Sequence, residues 1–252
     1  MKTEFVSVEI EKHIAVVEMH RPPVNALNLQ FLEELLFVFD ALAADEGARA
    51  VILTGHGNIF SAGGDLKDPM GGLDVAHDTH RLRVASEVFF RVLSCPKPTI
   101  AAINGPAIGG GLVLVASCDI LIASENAFLA LPEVAQGLLG GARHAMRFLG
   151  HSLTRRMILT GHRVSAAELY RRGAIEKCVP RDRLVAEARE IASEIATKDP
   201  SVLQLAKRAL NDTEEMSLRD GYAYEEGLVV NCLAQMRKRA RRTGAVANDD
   251  DA

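Results

Sequence analysis

The sequence predicts an α/β protein, a core of alternating strands and helices with further helices covering its C-terminal part. Two patterns carry that reading. Short β-branched runs alternate with stretches of helical period in the first half of the chain. From His144 onward nearly every segment repeats apolar residues at helical spacing. At 252 residues, 48% hydrophobic and 25% charged, the chain has ordinary globular composition and enough length for one large domain or two small ones.

The elements follow in order. Phe5 to Ile10 and Ile14 to Met19 run or alternate apolar on either side of Glu11, Lys12 and His13, a β-hairpin pattern. Arg21, Pro22 and Pro23 enforce an extended turn. Leu32, Leu35, Leu36, Phe39 and Leu42 recur at helical spacing, so 29–44 is a helix. Ala50 to Thr54 reads as a buried strand feeding a glycine-rich loop at 55–64. From Lys67 to Thr79 no period holds, which predicts a mobile surface loop; a helix resumes near Arg81 and stops before Cys95 and Pro96.

Strands are expected at Thr99–Ile103, Ile120–Ala123 and Ala127–Leu131, with a short helix from the triple glycine 109–111 to Ser117. One helix is expected over His144–Thr160, and the capping box of Ser165 and Glu168 starts the next. Ala174–Val179 reads as a strand, and Asp182 as a cap for the helix after it. Asp199 followed by Pro200 is an N-cap with proline at the first helical position, and Ser217–Asp220 precedes the last long helix. The boundaries drawn from this reading are a core domain 1–195, a helical region 196–243 and a disordered acidic tail 244–252.

The net charge of −4 sets up no strong field toward nucleic acid or an anionic membrane. Cys95, Cys118, Cys178 and Cys232 form no CxxC pair and no zinc spacing, so free thiols are expected. The first residues carry charges throughout, and the longest apolar stretch is too short to span a bilayer; the expectation is a soluble, cytoplasmic protein.

Two glycine-rich runs stand out, NIFSAGGDL at 58–66 and NGPAIGGGL at 104–112. Each follows a predicted strand, and the second leads into a helix. Glycine there lets backbone amides approach a ligand, and the first amides of a helix lack partners. Two such donors converging on one oxygen make an oxyanion hole, worth about 3 kcal/mol per donor in a transition state. Taken singly, the glycines fit tight turns equally well. A dinucleotide fingerprint and a P-loop are both missing.

PVNAL (23–27), FSAGGDL (60–66), AINGPAIGGG (102–111) and SCDI (117–120) resemble, in order and spacing, the pattern of the enoyl-CoA hydratase/isomerase (crotonase) superfamily. LTGHRVSAAEL (159–169), with Gly173, Ile175, Val179 and Pro180, is similar to its later half. The resemblance covers about residues 5 to 235. It implies a crotonase-like (ClpP/crotonase) spiral of repeated ββα units with a helical C-terminal region, in homotrimers or dimers of trimers. It implies an acyl-CoA substrate and no cofactor beyond that substrate's coenzyme A moiety. By motif position, the amides of Gly64 and Gly110 would form the oxyanion hole. Val24, Ala26, Ala62, Asp65 and Leu66, together with the two glycines, would bind the CoA part. From its place after Gly64, Asp65 also reads as a turn-fixing residue.

Hydratases of the family carry two glutamates. The position of the first is Val113 here; the second is kept as Glu133, after Pro132. Hydration needs one group to activate water and one to protonate carbon, a task suited to two carboxylates. One carboxylate still suffices to move a proton between carbons, as in the family's 3,2-enoyl-CoA isomerases, or to activate water against a ketone. The run after Glu133, GLLGGARH at 137–144, lacks the usual proline and is similar to the superfamily's ring-opening hydrolases of cyclic oxo-acyl-CoAs.

Glu133 is therefore the expected acid/base, and His144 a second candidate. Asp68, Asp74, His77, Asp78 and His80 lack the regularity of a metal site, so no metal is expected. Ser61 has no base adjacent in sequence. The basic run Arg237, Lys238, Arg239, Arg241 and Arg242 fits the C-terminal end of a helix, with CoA phosphate contact as the functional reading. Nucleic acid is excluded as a partner because helix 29–44 has no basic residue. A CoA-binding subunit that has lost activity is the non-enzymatic alternative that Val113 motivates.

Overall fold

The computed structural model describes residues 3–65 and 75–242, and side chains in 3–65 and 79–237. Leu66, Asp68, Asp74 and the tail 244–252 lie outside the described residues, as do the side chains of His77, Asp78, Lys238, Arg239, Arg241 and Arg242.

The chain divides into two compact units, residues 1–197 and 198–252. In the first, strands β1 (Val6–Glu11), β2 (Ile14–Met19), β3 (Ala50–Gly55), β4 (Thr99–Ile103), β6 (Ile120–Ser124) and β9 (Lys177–Val179) form one sheet in the order β1-β2-β3-β4-β6-β9. Only the β1–β2 hairpin is antiparallel; β2 to β9 pair in parallel. A second sheet joins the short strands β5 (Ala107–Ile108), β7 (Phe128–Ala130) and β8 (Val164–Ser165).

Parallel strands need crossovers, and helices supply them. Helix α1 (Leu29–Ala44) begins where the Asn28 side chain accepts from the Phe31 amide, and it buries Phe31, Leu32, Leu35, Val38, Phe39 and Leu42. Helix α2 (Val75–Leu93) starts six residues earlier than Arg81, inside the segment expected to be loop. Alternation along the strands gives the large sheet two apolar faces. Ala15, Val17, Val51, Leu53, Ala101 and Ile103 belong to the main core with α1 and α2. Ile14, Ala50, Ile52, Ile100, Ala102 and Ile122 pack against Leu184, Ala188 and Ala192 of α7 (Leu184–Ala196).

Helix α3 (Gly110–Ala116) follows β5 directly. The single helix expected over 144–160 is two, α4 (Ala142–Leu149) and α5 (His151–Thr160), because Gly150 sits at φ 74°, ψ 172° and breaks the hydrogen-bond ladder. Helix α6 (Ala166–Arg171) opens with the Ser165 hydroxyl accepting from the Glu168 amide. Asp182 does not cap α7: a 3₁₀ turn at Arg181–Arg183 intervenes, and the N-cap is Arg183. In the second unit, α8 (Pro200–Thr213), capped by Asp199, and α9 (Leu218–Arg242) pack together, with Ser201 Oγ 2.7 Å from Gln235 Oε1.

Asn25 ties the loops ahead of the site. It is 3% exposed with φ 51°. Its Oδ1 accepts from the Arg21 amide, and its Nδ2 donates to the carbonyls of His56, Ile59 and Phe60. Alanine would leave the buried Phe60 carbonyl without this donor and would strain at positive φ. Asn25→Ala is expected to lower the unfolding free energy by about 2–4 kcal/mol in urea titration; a loss under about 0.5 kcal/mol would contradict this role.

Candidate active site

The two glycine-rich runs come together through backbone bridges. Leu27 pairs with Gly64, and Ser61 with Ala107, each in parallel. The Leu27 amide donates to the Gly63 carbonyl at 2.7 Å, and the Asp65 amide to the Leu27 carbonyl at 3.2 Å. Buried Ser61 donates its hydroxyl to the Asn25 carbonyl and accepts from the Gly63 amide, so both hydroxyl functions serve the loop. A Cβ on Gly63 would meet the Ile108 carbonyl oxygen at 2.6 Å and the Gly110 nitrogen at 3.0 Å, a closeness that only glycine permits. Asp65 pairs with Arg21 at 2.8 Å, fastening this loop to the 21–27 segment.

Gly64 and Gly110 line one cavity of about 320 Å³, and neither amide has a hydrogen-bond acceptor among the described residues. Gly110 is the first residue of α3, where helix amides lack partners by construction.

Glu133 lines the same cavity. It opens a 3₁₀ turn, Glu133–Gln136, after Pro132. Its Oε1 reaches the backbone of Gly109, where a Cβ would lie 2.6 Å away; its Oε2 is buried with no hydrogen-bond partner. Burial pushes the carboxyl above the ordinary glutamate range, and its own backbone amide pulls it part of the way back. A half-buried carboxyl with one idle oxygen, next to two free amides, can exchange protons with a molecule held by those amides.

Val113 also lines the cavity, so the position of the missing glutamate faces the site. Arg81 and Gln136 apart, the other described wall side chains are apolar, with Leu27, Leu82, Ala85, Phe89, Leu138 and Leu139 prominent.

Ala62 lines the cavity with Glu133, Gly64 and Gly110; His144, Val24 and Ala26 do not. His144 stacks edge-on to Phe89, with ring centroids 6.1 Å apart, and at the same separation from Phe90, one wall back from Glu133. Val24 contributes its carbonyl to the Ala62 amide, and Ala26 its carbonyl to Arg21. Among the described residues no group of three or more His, Cys, Asp or Glu side chains is placed to hold a metal ion.

The sequence reading passed over Arg81. It lines the cavity at 8% exposure, and its Nη1 lies 3.3 Å from where a Cβ on Gly64 would be. The signal was present: among the described side chains Arg81, Val84, Val88 and Val92 are the buried stripe of α2, and Arg81 is the one charge in it.

Gly109→Ala would place a methyl against Glu133 Oε1 at a residue with φ 55°. The substitution is expected to displace the carboxyl toward solvent and return its titration, followed by carbon NMR of labelled glutamate, to the ordinary range. A Glu133 resonance titrating as in the parent would contradict the contact.

Residues 9–245 match the family described as Enoyl-CoA hydratase/isomerase. The chain is 38% identical over 219 residues, 86% of its length and 88% of the relative's, to (7aS)-7a-methyl-1,5-dioxo-2,3,5,6,7,7a-hexahydro-1H-indene-carboxyl-CoA hydrolase of Mycobacterium tuberculosis. It is 33% identical over 225 residues, 88% and 87% of the two lengths, to 2,3-dehydroadipyl-CoA hydratase of Escherichia coli. Among solved structures, an enoyl-CoA hydratase from Bacillus anthracis matches with a TM-score of 0.88 at 31% identity, over 96% of this chain and 97% of that one. The architecture is the crotonase fold, and the chain belongs to the enoyl-CoA hydratase/isomerase family.

Proposed function

We infer that this protein transforms an acyl-CoA by stabilising a thioester enolate, with the amides of Gly64 and Gly110 as the oxyanion hole and Glu133 as acid and base. The observation that carries the reading is the placement of Glu133: idle, half-buried, and against the glycine that precedes Gly110. The thioester oxygen accepts from both amides, which lowers the cost of negative charge on it. Glu133 takes a proton from carbon and returns it to another carbon, so one carboxylate completes an isomerisation. CoA lies along Val24, Ala26 and Ala62 in this reading, and the protein works as a homotrimer or a dimer of trimers. Exposed Leu82, Phe90 and Leu139 support assembly through the first unit.

A second reading is ring-opening hydrolysis of a cyclic oxo-acyl-CoA. It is favoured by Val113 in the cavity wall and by the 38% identity to the mycobacterial hydrolase. Water adds to a ring ketone and gives its proton to Glu133. The carbon–carbon bond then opens, its electron pair passing to the enolate, which Glu133 reprotonates. Atoms and charge balance without an oxidant.

Crotonyl-CoA in heavy-oxygen water tests simple hydration. We expect little labelled 3-hydroxyacyl-CoA, because one of the two hydratase carboxylates is missing. A kcat well above about 10³ s⁻¹ would overturn that expectation. The next substrates are 3-enoyl-CoAs for isomerisation and cyclic oxo-acyl-CoAs for ring opening.

With the true substrate, Glu133→Gln is expected to lower kcat by at least about 10²-fold; a variant of undiminished rate would remove Glu133 from the catalytic role. The raised carboxyl pKa fixes the sign of two pH effects. As the base, Glu133 must be ionised, so kcat/KM falls as pH drops through a value above that of an ordinary glutamate. The folded state holds this proton more tightly than the unfolded chain, so stability falls as pH rises from the unfolded to the folded pKa. Glu133→Gln is therefore expected to raise Tm at neutral pH, measured by calorimetry, while it removes activity.

A further inference from the structure

A buried arginine without a partner is costly, because the guanidinium stays protonated and its solvation is lost. Arg81 is in that position in part, at its Nε atom. It is 8% exposed, its Nε is buried with no hydrogen-bond partner, and no described carboxylate forms an ion pair with it. Among the described residues the one acid lining the cavity, Glu133, is held on the backbone of Gly109 and makes no ion pair with Arg81. Leu82, Ala85 and Phe89, which line the cavity with it, carry no side-chain acceptor, and no described hydrogen bond joins Arg81 to Gln136 in the same wall. Its Nη1 lies beside Gly64, so the charge sits next to the reacting end of the acyl group. Nothing in a plain hydrocarbon chain would satisfy it there.

We propose that Arg81 is a specificity-determining residue that binds a second oxygen of the acyl group, so that this site takes oxo- or carboxy-acyl-CoAs in preference to alkyl-acyl-CoAs. The proposal rests on the acyl-CoA reading above and names the substrate class within it. A ketone or a carboxylate supplies the same chemistry, an acceptor oxygen for a planar fork of N–H donors. Docking such an oxygen gives the guanidinium an acceptor inside the cavity. An alkyl chain leaves the guanidinium unpaired, and that difference produces selectivity.

The test is titration calorimetry on the full-length protein with four probes: acetoacetyl-CoA against butyryl-CoA, and glutaryl-CoA against pentanoyl-CoA. In the unmodified protein at least one oxygen-bearing thioester is expected to bind about tenfold or more tighter than its alkyl counterpart. Which pair shows the preference tells ketone from carboxylate. Arg81→Met is expected to abolish the preference while leaving the alkyl thioesters bound as before or better. Arg81→Lys keeps the charge without the fork and is expected to retain part of it. Should Arg81→Met fail to fold, the unmodified protein and Arg81→Lys still decide.

Equal binding within both pairs in the unmodified protein would overturn the proposal and leave the acyl-CoA reading standing. So would a uniform loss across all four probes in Arg81→Met, which would make the arginine a third donor to the thioester oxygen. If none of the four thioesters binds the unmodified protein, the acyl-CoA reading fails, and the specificity role with it.

Discussion

The structure depends on two irregular loops lying backbone to backbone. Residues 61–65 and 106–111 must approach closely enough for Ser61 to pair with Ala107, and for Gly63 to touch the backbone of 108–110. A side chain at Gly63 would force them apart. Asn25, Ser61 and the Arg21–Asp65 ion pair absorb the polar groups that such loops leave over. The large parallel sheet behind them is the rigid frame: β3 delivers the first loop and β4 the second, and the two strands are neighbours. The cavity is a product of that adjacency.

The fold is the family's; the side chains along the cavity wall bear on which reaction it serves. Two amides aimed at one oxygen serve any reaction that passes through an enolate, so they do not choose among hydration, isomerisation and bond cleavage. The choice falls to side chains around them. Here one carboxyl is kept, a valine replaces the other, and an arginine enters from α2. Among the described residues the result is a largely apolar chamber with one carboxyl, Glu133, and one guanidinium, Arg81.

The sequence disclosed regular elements well because their signals are repeated. Helix α1 was legible to the residue, with its apolar stripe and a break at Asp45. The strands of the large sheet were legible as β-branched runs. Two-residue strands such as β5 and β8 carry no period at all. Gly150 looked tolerable inside a helix, and only its backbone angles show that it ends one. The first turns of α2 were hidden by His77, Asp78 and His80, which supply no apolar repeat. Of the residues lining the cavity, Glu133, Gly64 and Gly110 were legible as motif positions. Arg81 was not, because a lone arginine at the head of a helix reads as solvated until the register of Val84, Val88 and Val92 is followed back to it.

The connectivity has a kinetic consequence. The β1–β2 hairpin is the local pairing in the large sheet; every other neighbour is reached by a long crossover. Non-local pairings close late, after the chain has met the entropy of its larger loops. The bridges that assemble the cavity join segments on either side of such crossovers, so the binding site forms near the end of folding. A ligand that occupies it then has no grip on the folding transition state. Its stabilisation would show as slower unfolding, with the folding rate nearly untouched.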